Sequence, residues 1–198
     1  MMFLLLLAIL AITAAAIWFQ GVWNAAVTLV NLILAMVIAT SFYEPICRQL
    51  EKISNDVKTY TYLLDFIVIW LLVALVFGIL RAITDAISKK AVEFDFPVEL
   101  AGRSVLALFC GWVMVCFVAF SLHMAPLNSL NPLGAWATPT SKTFGPFSPD
   151  RMWLGFMHSR STPSAFGPPQ FDPNGEFLLK YHDRREKYAQ PGTGMKFQ

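Results

Sequence analysis

The chain has 198 residues, of which 56% are hydrophobic and only 14% charged, and its net charge is +2. A soluble domain carries about 25% charged residues, so the composition argues against an ordinary water-soluble fold, and so small a positive excess gives no footing for nucleic acid. The deficit is uneven: residues 1–43 hold no Asp, Glu, Lys, Arg or His, whereas residues 124–198 hold ten of the twelve prolines and seven of the eleven glycines. The front of the chain is built for lipid and the back for water or an interface.

As a single helix, the uncharged run 1–43 would measure about 65 Å at 1.5 Å per residue. That is twice the roughly 30 Å hydrocarbon core, so the run predicts two crossings. The break falls at Gln20-Gly21, flanked by Trp18 and Trp23, residues that favour the lipid–water boundary. The first two spans are therefore expected at 2–19 and 22–43. Ala14-Ala15-Ala16 resembles a signal-peptide cleavage site, but no Lys or Arg precedes the apolar run, so residues 1–20 read as an uncleaved span.

Residues 44–61 carry Arg48, Glu51, Lys52, Asp56 and Lys58, with Ile46, Leu50, Ile53 and Val57 at helical spacing opposite most of these charges. Pro45 suits a first helical turn, so the segment reads as a short amphipathic helix in the interface. The third span is expected at 62–80, with Asp65 near its edge. Arg81, Asp85 and Lys89 follow at four-residue intervals, which extends this helix to about Lys90. Pro97 and Glu99 suit the start of a fourth helix, whose span is expected at 104–122. Runs this long, without period-2 alternation, exclude a barrel. The fold class is thus an all-α integral membrane protein with four transmembrane helices, short amphipathic connections and a mostly irregular C-terminal tail.

Orientation rests on a thin margin, three Lys/Arg in 44–61 against four in 81–103, which tilts the second loop toward the cytoplasm. Four-residue spacing of small side chains (Ala35 and Ala39; Gly78, Ala82 and Ala86; Ala107 and Gly111) would let helix backbones approach closely, within a bundle or a homo-oligomer. In the tail, dipeptides such as Asn131-Pro132 and Gly145-Pro146 predict extended segments over 124–170 that lean on the membrane or the bundle. Asp172 and Pro173 suit a helix start, giving a short terminal helix over 173–188. Its Phe177, Leu178 and Tyr181 would dock on a partner, and Arg184, Arg185 and Lys187 would meet phospholipid headgroups.

Cys47, Cys110 and Cys116 form no complete disulfide framework and read as small buried apolar side chains. His123, His158 and His182 share no ligand spacing, no metalloprotease, CxxC or phosphate-loop motif is present, and Asp172-Pro173-Asn174-Gly175 matches only part of a calcium loop. No catalytic residue, cofactor or metal is therefore expected. Within the spans, Asn31 and Thr28 are the polar side chains of interest. They predict an interhelical polar contact or, in an oligomer, the lining of a conduction path. A membrane enzyme would have to rest on His123, Asp65 or Asp85, and no nucleophile–base set accompanies them.

Two closely joined spans, a charged amphipathic loop, a third span running into Arg81-Ala82-Ile83-Thr84-Asp85-Ala86-Ile87, then Gly102-Arg103-Ser104-Val105-Leu106-Ala107-Leu108-Phe109-Cys110-Gly111 opening a fourth: over residues 1–123 this order resembles the colicin V production (CvpA) family. Gln20-Gly21-Val22-Trp23 stands where that family more usually has Arg-Gly. The resemblance implies a small multi-pass protein of the bacterial inner membrane. It implies a non-enzymatic role in toxin production or export, or in envelope homeostasis, with the lipid bilayer, further copies or other envelope proteins as partners. An oligomeric channel or transporter subunit is the alternative.

Overall fold

A computed structural model of the chain describes residues 2–53, 61–88, 94–125, 147–161 and 171–189. These residues form six α-helices and no strand: α1 (Met2–Trp18), α2 (Gly21–Ile53), α3 (Thr61–Ile87), α4 (Phe96–Leu122), α5 (Pro149–Arg160) and α6 (Phe177–Ala189). Three of them, α2, α3 and α4, are long and apolar enough to cross a membrane; α1 is as apolar but shorter. Large apolar side chains face outward along them, among them Ile67, Leu71, Leu75, Ile79 and Ile83 on α3. In water such a surface would be an aggregation liability, and against lipid tails it costs nothing.

The four long helices pack as a row, α1 against α4, α4 against α2, and α2 against α3, with only light contact between α1 and α2 or α3 and α4. Leu6 clusters with Val115, Val118 and Ala119, while Ile17 clusters with Ala107 and Cys110, so α1 and α4 run antiparallel. Small residues set this seam, because a Cβ on Gly111 would lie 2.9 Å from the Leu10 carbonyl oxygen. The α1–α2 turn bends at Gly21, whose φ of +79° suits glycine. Glu99 of α4 reaches across to this turn, and its Oε1 accepts the Val22 N–H at 2.9 Å. An acidic acceptor thus satisfies one of the open donors at the start of α2.

The expected break after residue 43 is absent. Helix α2 runs on for 33 residues with Pro45 inside it, and its end is the amphipathic segment read from the sequence; residues 54–60 lie outside the described residues. Proline removes one backbone donor, but Tyr43 and Cys47 on either side of it are buried in the main core with Phe177 and Tyr181 of α6. Tertiary packing therefore holds the helix through the proline. Past residue 80, α3 keeps its helical backbone to Ile87, with the Ser88 N–H still bonded to the Thr84 carbonyl; Lys89 and Lys90 lie outside the described residues. Helix α4 opens with Asp95 ahead of it and Pro97 in its first turn.

The tail differs from expectation in one additional helix and in where the terminal helix starts. Residues Pro149–Arg160, expected to be extended, form α5, with proline at the helix start and Asp150 in the first turn. Helix α6 begins at Phe177 rather than at 173. Asp172 does serve that helix, but from a distance. Its φ is +47°, and its carboxylate accepts the N–H groups of Glu176 at 2.7 Å and Phe177 at 3.1 Å. Pro173 and Asn174 lie in the turn between them.

Both tail helices enter the bundle core. Rings line up from α3 to α6: Trp70 meets Phe117 edge-on at 5.5 Å, and Phe117 meets Trp153 at 5.4 Å. Phe120 stacks on Phe177 at 4.9 Å, and Phe177 lies 4.7 Å from Tyr181. Such pairs add to plain area burial.

Candidate functional site

Among the described residues, three groups of ionisable and polar side chains stand out, two at helix–helix seams and one where α4 meets α5. At the end marked by the α1–α2 turn, α2 and α3 share a polar seam. Asn31, 3% exposed, donates from Nδ2 to Thr84 Oγ1 at 3.0 Å. Thr28 Oγ1 accepts from Arg81 Nη1 at 2.9 Å and donates to Gln20 Oε1 at 3.2 Å. Arg81 also donates from Nε to Asp85 at 3.0 Å, one helical turn on. Trp23 Nε1 donates to Ser88 Oγ at 2.8 Å. The sequence places Asn31 and Thr28 on α2, while Thr84 and Arg81, which they meet, sit far along the chain on the extension of α3. Four-residue spacing shows which residues share a face, but it carries no information about which helix faces it.

At the opposite end, α6 is fastened across α2 and α3. Asp65 is 6% exposed, and its Oδ2 accepts from Tyr181 Oη and from Arg184 Nη1, each at 2.8 Å. Glu44 accepts from Lys180 at 2.9 Å and pairs with Arg48 at 3.3 Å. Burial pushes the Tyr181 hydroxyl well above its ordinary range, and the neighbouring Tyr43 and Asp65 push it further. The phenol therefore stays protonated and donates to the carboxylate. Of the three cations expected at headgroups, Arg184 points its guanidinium at Asp65 instead; the side chains of Arg185 and Lys187 lie outside the described part of the structure. Phe177 and Tyr181 bury themselves against the chain's own helices. Replacing Asp65 by alanine is expected to loosen α6 by about 2 kcal/mol, since charge-assisted hydrogen bonds contribute roughly 1.5–3 kcal/mol each and Arg184 is partly solvated. Faster tryptic cleavage at Lys180 and Arg184, with α2–α4 still protected, would register this loss; an unchanged rate would refute it.

The third place joins the end of α4 to the start of α5. His123 Nε2 lies 3.0 Å from Asp150 Oδ2, and the two side chains are only 7% and 3% exposed. An ionised carboxylate can only accept, so Nε2 carries the hydrogen whenever Asp150 is charged. Nearby, Trp153 Nε1 donates to Thr40 Oγ1 at 3.3 Å, tying α5 to α2. Sequence reading singled out His123 but not its partner 27 residues away. The local signal was the run Ser148-Pro149-Asp150, which marks a helix start.

Each of these carboxylates thus faces a cation, an imidazole or a hydroxyl from another element or the next turn. Those that are buried and join two elements, at Asp65 and Asp150, are costly to break. Among the described residues no group of three or more His, Cys, Asp or Glu is placed to hold a metal ion. The three cysteines are buried and unbridged.

The architecture places the chain in the class of multi-pass α-helical membrane proteins, on three helices of crossing length. Compared with known proteins, the chain matches no family model, no curated protein and no solved structure.

Proposed function

We propose that this is a non-enzymatic protein of a bacterial inner membrane, acting in the manner its sequence resemblance to the CvpA family implies. It supports production or export of a colicin V-type toxin, or envelope homeostasis, by holding other envelope components. In this reading four apolar segments cross the bilayer, near 2–19, 22–43, 62–80 and 104–122, and the segment after the second crossing shares a side with the tail. The observation that carries it is the fastening of α5 and α6 onto one end of the helix row through Asp65, Glu44 and the His123–Asp150 pair. That end carries two helices tied down by ion pairs and hydrogen bonds, which suits holding a partner better than turning over a substrate.

The alternative, an oligomeric channel or transporter subunit, would use Asn31 and Thr28 as pore lining. Their hydrogen bonds to Thr84 and Arg81 commit both to the α2–α3 seam, which weighs against that use. Crosslinking in native membranes, combined with conductance of the purified chain in vesicles, decides between the two. A stable hetero-complex without conductance is the expected result. Conductance with crosslinks only between copies of this chain would overturn the scaffold reading.

A further inference from the structure

At the end of the row marked by the α1–α2 turn stands a guanidinium that pairs with no carboxylate among the described residues. Arg103 lies on α4, seven residues after its start, with its guanidinium carbon 4.1 Å above the ring of Trp18 from α1. The Trp18 ring is fixed in turn, because its Nε1 donates to Ser104 Oγ at 3.1 Å and it forms a T-shaped pair with Phe19 at 5.4 Å. Arg103 Nε is buried and has no acceptor. The natural partner one turn earlier on the same helix, Glu99, instead gives its Oε1 to the Val22 N–H. Among the described residues the Arg103 guanidinium meets no carboxylate.

Two features set the depth of this group in the membrane. The backbone at Phe19 and Gln20 leaves the helix between α1 and α2, and non-helical backbone is tolerated at the water boundary rather than in lipid tails. Helix α4 has 27 residues, about 40 Å, so its first turns extend beyond a hydrocarbon core of roughly 30 Å. Trp18, Trp23, Phe94 and Phe96 cluster at this same end in sequence and fold, as an aromatic belt does. The level of Arg103 is therefore the level of lipid phosphates.

We infer that Arg103, held flat on Trp18, forms a binding site for the phosphodiester of an anionic phospholipid. A guanidinium stacked on an indole keeps its charge and offers its N–H edge in a fixed plane, the geometry that recognises phosphate with two parallel hydrogen bonds. Stacking also removes the conformational freedom that a lysine at this position would retain. The site differs from the basic tail helix at the other end, where the described cations Lys180 and Arg184 are occupied by Glu44 and Asp65.

The test uses the full chain, delipidated in detergent and back-titrated with phosphatidylglycerol or phosphatidylcholine, with retained lipid counted by mass spectrometry. The wild type should retain phosphatidylglycerol about five-fold better than R103Q, the factor one interfacial cation supplies, with R103K between them. Phosphatidylcholine, whose phosphodiester is neutralised by its own choline ammonium, should be retained about equally by all three. Equal phosphatidylglycerol retention by wild type and R103Q overturns the proposal. If R103Q does not fold, R103K decides, and wild-type retention by R103K removes the role of the stacked guanidinium. Inorganic phosphate added at millimolar concentration should displace little of the lipid; full displacement would identify a site for free phosphate and overturn the lipid assignment.

Discussion

Replacing His123 by alanine should lower the stability of the folded chain by about 3 kcal/mol, and Asp150→Ala should also be costly, because each change removes one side of a buried polar contact. The distance is 3.0 Å and both side chains are almost fully enclosed, so solvent cannot stand in for the missing partner. A loss of this size is a large share of the roughly 5–15 kcal/mol that holds an ordinary domain together. It should also spread. Helix α5 delivers Trp153 and Met157 to the main core, and the pair fixes where α5 starts. Denaturant unfolding in detergent micelles, followed by tryptophan fluorescence, gives the measurement. Asp150→Asn keeps the shape and one acceptor oxygen and should lose less. The double variant H123A/D150A should cost clearly less than the two single losses added together, since both single changes remove the same contact. Additive costs, or single costs near zero, would show that the contact contributes nothing as a pair.

What the sequence revealed and what it withheld divide along a physical line. Local patterns were legible. The uncharged run 1–43 interrupted at Gln20-Gly21 marks a turn between two apolar helices, and the turn is there with Gly21 at positive φ. Arg81 and Asp85, one turn apart, marked the continuation of α3 and do form an ion pair at 3.0 Å. Partners distant in sequence were not legible. Nothing near Glu99 announces that it caps α2, 77 residues earlier, and nothing near Asp65 announces Tyr181 and Arg184. Pro45 misled because its fit to a first helical turn was read without the packing of Tyr43 and Cys47, which carries α2 through it. Helix α5 was hidden differently. Its proline and serine start, read as part of a breaker-rich tail, is a helix signal once Trp153, Met157 and Arg160 are seen to follow at helical spacing.

Among the described glycines, Gly111 is the one whose added Cβ would strike backbone, and Gly111→Leu should be strongly damaging to the membrane helices. A Cβ there would stand 2.9 Å from the Leu10 carbonyl oxygen, 3.5 Å from the Leu10 side chain and 3.6 Å from the Ala14 side chain. The nearest atom is backbone, which cannot rotate aside, so α1 has to move away from α4 as a unit. Doing so separates Leu6 from Val115 and Ala119, and Ile17 from Ala107 and Cys110. In lipid there is no hydrophobic penalty to press the two helices back together, and close packing is what joins them. The expected loss is about 3 kcal/mol, the upper end of what overpacking costs, with Gly111→Ala losing about 1 kcal/mol. Gly78 supplies the control, because a Cβ built there meets nothing within 4 Å. Gly78→Ala should therefore leave the unfolding midpoint in micelles unchanged or raise it. A Gly111→Leu variant that unfolds at the wild-type midpoint would show that α1 is not held by contact at this point, and the row of helices would have to be redrawn without it.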